Sequence, residues 1–285
     1  MGGAFGGGGG GGFPFPMKAG GGLLGVIILI AIVVITQLGG GNNAGSPGLG
    51  AQSGAVDDAT SGDVGGEVAC TTETEQVVCG AVDDVLLYWD SQFPVSFQGT
   101  FAGTDTVFFS DATNTGCGQA SAQTGPFYCP VDQLVYFDLD FLEQLQSRFG
   151  ATGDLAAQYI VAHEYGHHVQ NITGISDRTN AAQQQFPDAA NEFSVALELQ
   201  ADCFAGAWAS SVAERGLFDR EGEIDEALGA AEAVGDDRIM ESAGQEVNPE
   251  SFTHGSAEQR RTWFAKGFDT GDPEQCTTFD NSLAP

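Results

Sequence analysis

Basic residues are scarce in this chain: two lysines and seven arginines stand against 39 aspartates and glutamates, for a formal net charge of -30. Nucleic-acid binding rests on Lys and Arg neutralising phosphates and releasing counterions, so this composition excludes DNA and RNA as partners. Such an acid excess suits a domain working in high salt, where screening relieves self-repulsion. Histidine is equally sparse, with only His163, His167, His168 and His254. No CxxC pair occurs, which argues against a zinc ribbon. Apolar runs are short everywhere except at residues 23–38 (LLGVIILIAIVVITQL), which with residues 19–22 reach roughly the length needed to cross a hydrocarbon core.

That run sets the organisation of the chain. Lys18 precedes it and no acid occurs before Asp57, so the bias of positive charge toward the cytoplasm puts the N-terminus inside and the bulk outside. A cleaved export signal is the rival reading of the same run. Twelve of the 42 glycines fall in residues 1–22 and ten in residues 39–66, segments too poor in large apolar side chains to form a core. The expected division is a cytoplasmic tail (1–22), a transmembrane helix (23–38), an extracytoplasmic stalk (39–66) and one folded domain (67–285). The chain is thus expected in the cell membrane as a single-pass protein. All six cysteines lie in the domain, and an even count in an exported domain implies disulfides. Closeness in sequence pairs Cys70 with Cys79 and Cys117 with Cys129, leaving Cys203 with Cys276.

Within the domain, residues 83–93 carry helix-spaced apolar positions and meet Pro94, where a helix is expected to stop. Residues 95–110 mix aromatics, Val and Thr as strands do, and residues 134–138 read as a short strand whose edge suits an extended substrate. Residues 141–149 read as a helix ended by Gly150. Between residues 155 and 175 the one formal charge is Glu164, so this stretch reads as a buried helix whose single charge needs a compensating partner. A second long helix is expected over residues 190–215. Residues 219–250 hold eleven acids without an ordered calcium-loop pattern, which favours a solvated acidic face over a cation site. Ser256 and Gln259 match a capping box.

The chemistry is carried by His163-Glu164-Tyr165-Gly166-His167, an HExxH motif inside the uncharged helix. Residues i and i+4 share one helical face, so both imidazoles can reach a single zinc ion. Glu164 points about 100° around the axis and can hold a reacting water without ligating the metal. A catalytic zinc site wants a third protein ligand and an open position. The extended motif HExxHxxGxxH is excluded, because Gln170 and Thr173 occupy the positions of its Gly and last His. Glu198, 31 residues after His167, is the candidate third ligand, and Asp202, one turn later, can accept the far N–H of a ligand histidine. On its own this pair would read as the solvated face of an amphipathic helix.

Five ordered stretches carry a resemblance: CGQASAQTGPFYCP (117–130), VYFDLDF (135–141), QYIVAHEYGHHVQN (158–171), LELQADCFAGAWA (197–209) and HGSAEQRRTWFAKGF (254–268). With these the sequence resembles the neutral zinc metallopeptidases of bacteria, single-pass membrane proteins, over roughly residues 82–272. The resemblance implies His163 and His167 as ligands, Glu164 as catalytic acid/base and Glu198 as third ligand, by similarity to the ExxAD element of other zinc peptidases. The glycine tail, the stalk and the acidic 219–250 segment depart from it.

The implied reaction is hydrolysis of a peptide or protein substrate, with Glu164 moving a proton from the attacking water to the leaving amine. A developing oxyanion needs a second hydrogen-bonding group, for which His254 is the candidate; a structural role for His254 is the competing reading. Tyr136 and Tyr165 are weaker candidates, since buried tyrosines are usually core. A catalytically silent, membrane-tethered zinc-binding or interaction protein is the alternative function. The expected fold is α+β and zincin-like, mainly helical, with the HExxH helix and the Glu198 helix packed face to face against a small sheet.

Overall fold

The long stretch around the HExxH motif is helical from Leu155 to Ile172, and all of it up to Gln170 is buried except Gln158. A computed structural model describes this helix and its surroundings over residues 70–121, 124–138, 155–217 and 222–279. The expected tail, transmembrane helix and stalk lie outside the described residues, as does the expected helix at 141–149. Among the described residues, no helix is long and apolar enough to cross a membrane.

The domain begins with helix α1 (Glu73–Ser96), opened by a capping box between Thr72 and Glu75 and stapled to the preceding residues by the Cys70–Cys79 disulfide. Pro94 does not stop it, contrary to the sequence expectation: the helix runs two residues further, and the Phe97 N–H still bonds the Phe93 carbonyl at 2.8 Å. The donor lost at Pro94 would have served the carbonyl of Asp90, an exposed residue that water can reach. Trp89, Phe93 and Phe97 then lock the last turn against Phe204 and Phe101.

Four short strands follow before the central one. Strands β1 (Thr106–Phe109), β5 (Leu134–Asp138) and β4 (Phe127–Cys129) form one sheet in the order β1-β5-β4, parallel on the first side and antiparallel on the second. Strand β5 is therefore paired on both sides and cannot take a substrate strand. The strand-like expectation for residues 95–110 reduces to β1. Strands β2 (Ala112–Thr115) and β3 (Gly118–Ser121) form a separate hairpin, tied to β4 by Cys117–Cys129.

The HExxH helix, α2 (Leu155–Ile172), leads through α3 (Ile175–Gln185) to α4 (Ala190–Glu214). Two helices, α5 (Glu223–Ala233) and α6 (Asp236–Ser242), occupy the acidic segment, and α7 (Ala257–Thr270) closes the domain, its start set by the Ser256–Gln259 capping box. Helix α4 is the hub, packing on both α2 and α7. Its crossing with α7 is unusually close: a Cβ on Gly206 would lie 2.0 Å from the Phe264 carbonyl oxygen, and one on Gly267 would lie 1.9 Å from that of Cys203. The Cys203–Cys276 disulfide fastens the chain after α7 back onto α4. All three disulfides follow the expected pairing. The result is a mixed α and β architecture, mostly helical with small sheets.

Candidate metal centre

Helices α2 and α4 meet at Gly166, where an added Cβ would stand 3.2 Å from Ala201, and this approach brings the two motifs together. His163 Nε2 lies 3.1 Å from His167 Nε2 and 3.2 Å from Glu198 Oε2, and His167 Nε2 lies 3.5 Å from Glu198 Oε1. Tetrahedral zinc with bonds of about 2.05 Å separates its ligand atoms by about 3.3 Å, so the triangle has the size such an ion requires. Among the described residues, this is the one His/Cys/Asp/Glu group whose donor atoms converge tightly enough to hold a metal. The acidic segment contributes no such group there.

Charge points the same way. Glu164, Glu198 and Asp202 are three buried carboxylates, while Arg260 is one buried guanidinium, and a divalent cation balances the four. The far nitrogen of each histidine faces an acceptor, Asp202 Oδ1 at 2.9 Å from His163 Nδ1 and Gln170 Oε1 at 2.8 Å from His167 Nδ1. Each Nδ1 therefore donates, and each Nε2 turns toward the other and toward Glu198. A metal ion or a proton satisfies this triangle, whereas lone pairs alone repel. Burial disfavours a charged His163 ring, but the charge and hydrogen bond of Asp202, with Glu198, lift its pKa to about 9. Burial lowers His167 to about 4. Burial also works against an ionised Glu198, yet the two histidines hold its pKa well below the carboxylate range.

Glu164 is fully buried, and neither carboxylate oxygen makes a well-formed hydrogen bond to the protein. The charge of His163 and the Tyr128 N–H, on β4, act to lower its pKa. Burial, reinforced by the Glu198 charge, pushes this carboxyl up to about 7. The compensating partner expected for Glu164 is thus not a protein hydrogen bond, and a cation in the adjacent triangle fits that role.

Asp202 receives more than a histidine. Tyr159 donates its hydroxyl to Oδ1 at 2.6 Å, and Arg260 donates through Nε to Oδ2 at 2.8 Å and through Nη2 to Oδ1 at 2.9 Å. Sequence reasoning missed Tyr159, Arg260, Gln170 and Gln200. The only signal was the occurrence of polar side chains at helix positions that their apolar neighbours mark as inward.

His254 is held by Asp236 at the start of α6. Asp236 Oδ2 accepts from the N–H groups of Thr253, His254 and Gly255, while Oδ1 pairs with His254 Nδ1 at 3.1 Å. Burial opposes the charged ring, but the Asp236 hydrogen bond and the charge of nearby Glu198 raise its pKa. His254 is therefore both structurally anchored and within electrostatic reach of the centre. His168 lies elsewhere, with Nε2 donating to the Ala102 carbonyl and Nδ1 on the Tyr128 hydroxyl. The Tyr136 hydroxyl donates to Asp132, and the Tyr165 hydroxyl pairs with Thr106, so both are structural.

The chain is similar in sequence to known proteins. The chain is 45% identical over 196 residues to the uncharacterized protein YpfJ of Escherichia coli, covering 68% of each chain. It is 50% identical over 183 residues to the uncharacterized protein Rv2575 of Mycobacterium tuberculosis, covering 60% of each. No solved structure matches it. Residues 2–279 match the family described as "Putative neutral zinc metallopeptidase", and the chain belongs to that family.

Proposed function

We propose that the chain is a zinc-dependent endopeptidase anchored in the cell membrane through residues 23–38, with its catalytic domain outside. The observation that carries this reading is a buried carboxylate, Glu164, with no well-formed hydrogen bond to the protein, beside a triangle of His163, His167 and Glu198 sized for zinc. The donor set of two imidazoles and one carboxylate is that of catalytic rather than structural zinc sites, which close with four protein ligands and favour cysteine. When bound there, zinc supplies Lewis acidity toward a carbonyl and lowers the pKa of a water toward about 7.

The side chains divide the remaining work. Glu164, buried beside the triangle and without a well-formed hydrogen bond to the protein, is placed to take a proton from the attacking water and pass it to the departing amine nitrogen. His254 uses Nδ1 on Asp236, which leaves Nε2 to donate to the oxyanion developing on the scissile carbonyl. Asp202, clamped by Arg260 and Tyr159, fixes the ring of His163.

The test compares wild type with Glu164→Gln for zinc content and for cleavage of an unfolded protein substrate. About one zinc per chain in both, with hydrolysis in wild type alone, supports the enzyme and the role of Glu164. Zinc in both without hydrolysis in either favours a silent zinc-binding protein, and a wild type that holds no zinc sinks the reading.

A further inference from the structure

The two histidines of the centre are backed by unlike groups. Behind His163 stands a carboxylate, Asp202, with its own guanidinium. Behind His167 stands a neutral amide, Gln170, fully buried on the same helix. A primary amide could present either its oxygen or its NH2 group to the ring, and the two orientations have opposite consequences. With the oxygen toward Nδ1, the ring carries its proton there and Nε2 is a bare donor. With the NH2 group toward Nδ1, the proton moves to Nε2 and blocks it as a ligand.

The orientation is forced from a distance. Gln200 Nε2 donates to the main-chain carbonyl of Cys276 at 2.8 Å, and a carbonyl oxygen can only accept. The Gln200 oxygen therefore turns inward, where Gln170 Nε2 meets it at 3.1 Å and also donates to the Leu197 carbonyl at 2.7 Å. Both of those partners accept, so the Gln170 NH2 group has no alternative direction and its oxygen must face His167. Each link is set by the one before it, and the first and last anchors are main-chain carbonyls.

We infer that Gln170 and Gln200 are positioning residues for the metal: a one-way amide relay from the Leu197 and Cys276 carbonyls fixes His167 in the tautomer whose Nε2 can bind. The anchors belong to the site's own framework. Leu197 precedes the ligand Glu198, and Cys276 is joined through its disulfide to Cys203, next to Asp202. The relay thus holds His167 on α2 in register with the α4 residues that share the metal. An amide serves here better than a second carboxylate, since three buried carboxylates already face one guanidinium and a divalent ion.

This inference rests on the zinc reading for its purpose, but its central claim can be read without metal. In the metal-free full chain with 15N-labelled histidine, long-range nitrogen–proton correlations report which ring nitrogen carries the proton. The wild type should show His167 protonated at Nδ1. Gln170→Leu, which keeps the volume and removes the acceptor, should mix in the Nε2–H form and weaken zinc binding by about 10- to 100-fold in competition with a chromophoric chelator. Gln170→Glu restores an acceptor that cannot be flipped and should return the Nδ1–H signal, an outcome that a purely packing role for Gln170 does not produce. Gln200→Leu, one link further out, should give a smaller loss that disappears when Gln170 is already Leu, and it serves if Gln170→Leu does not fold. An Nε2–H tautomer in the wild type, or Gln170→Leu with unchanged tautomer and zinc affinity within twofold of wild type, overturns the relay. Failure of the wild type to bind zinc, with the Nδ1–H tautomer intact, overturns the zinc reading instead.

Discussion

Arg260 donates two hydrogen bonds to Asp202, through Nε at 2.8 Å and Nη2 at 2.9 Å, with both side chains fully buried. The same guanidinium reaches the Val234 carbonyl at 3.2 Å through Nη1, so it ties helix α7 to the end of α5 as well as to the candidate metal centre. Removing one member of a buried ion pair leaves the other charge uncompensated, which costs about 3–5 kcal/mol. Arg260→Met should therefore lower stability by about 3 kcal/mol or more in urea unfolding. Arg260→Met combined with Asp202→Asn should recover part of that loss, because no charge is then stranded. A double variant no more stable than Arg260→Met would mean that packing, rather than the pair, sets the cost.

The crossing of α4 and α7 makes a second demand. A Cβ on Gly267 would overlap the Cys203 carbonyl at 1.9 Å, and both groups are main chain held in helices, so neither can yield by a rotamer change. Gly267→Ala should destabilise the domain by about 1–3 kcal/mol, the usual range for overpacking, although alanine is the better helix former. Gly229, in α5, has open space around its Cβ position, and the same substitution there should be neutral or mildly stabilising. Thermal unfolding of the two variants checks the contrast.

The His254–Asp236 pair predicts a pH dependence. The His254 pKa is raised in the folded protein, so its contribution is fully present below the unfolded value of about 6.5 and is lost as pH rises through the folded value. The Asp236 pKa is lowered, so its contribution is present above about 3.9 and is lost as pH falls through the folded value. The pair therefore stabilises most between about pH 4 and 6.5. Raising the pH from 6 to 9 should lower the unfolding midpoint of wild type more than that of His254→Gln. His163, whose pKa is also raised, adds the same slope to both proteins and drops out of the comparison. Equal shifts in the two would count against the pair.

How much of this was legible in the sequence depends on whether a contact lies within a helix or between helices. His163, Glu164 and His167 are spaced by the geometry of one helix, and Glu198 and Asp202 by that of another, so their shared faces follow from the period alone. The partners Tyr159 and Arg260 are 101 residues apart, and Gln200 and Cys276 are 76 apart. Periodicity says which face of a helix is buried, but not which side chain of another helix stands opposite. Asp236 is a similar case: within a run of acids it reads as solvated, yet the three N–H groups it caps come from a loop 17 to 19 residues later. Pro94 departs from the expectation for a different reason, since its cost falls on the carbonyl of an exposed residue near a helix end while buried Trp89 and Phe93 and half-buried Phe97 hold the turn.

The disulfides separate stability from metal binding. Cys203–Cys276 spans 73 residues and Cys70–Cys79 spans nine, which in the chain-entropy picture corresponds to roughly 4.4 and 2.6 kcal/mol of stabilisation. Both pairs replaced by alanine should therefore lower stability, the first more than the second. Zinc affinity should respond differently. Cys276 presents the carbonyl that orients Gln200, and Cys203 adjoins Asp202, so loss of that bridge should also weaken zinc binding in protein that remains folded. Cys70–Cys79 sits at the start of α1, outside the Gln200–Gln170–His167 chain of hydrogen bonds, and its loss should leave zinc affinity within about twofold of wild type while the protein stays folded. Unfolding midpoints and chelator competition on the two double variants measure these quantities side by side. Equal effects on zinc would mean that general loosening, rather than the Cys276 carbonyl, governs the centre.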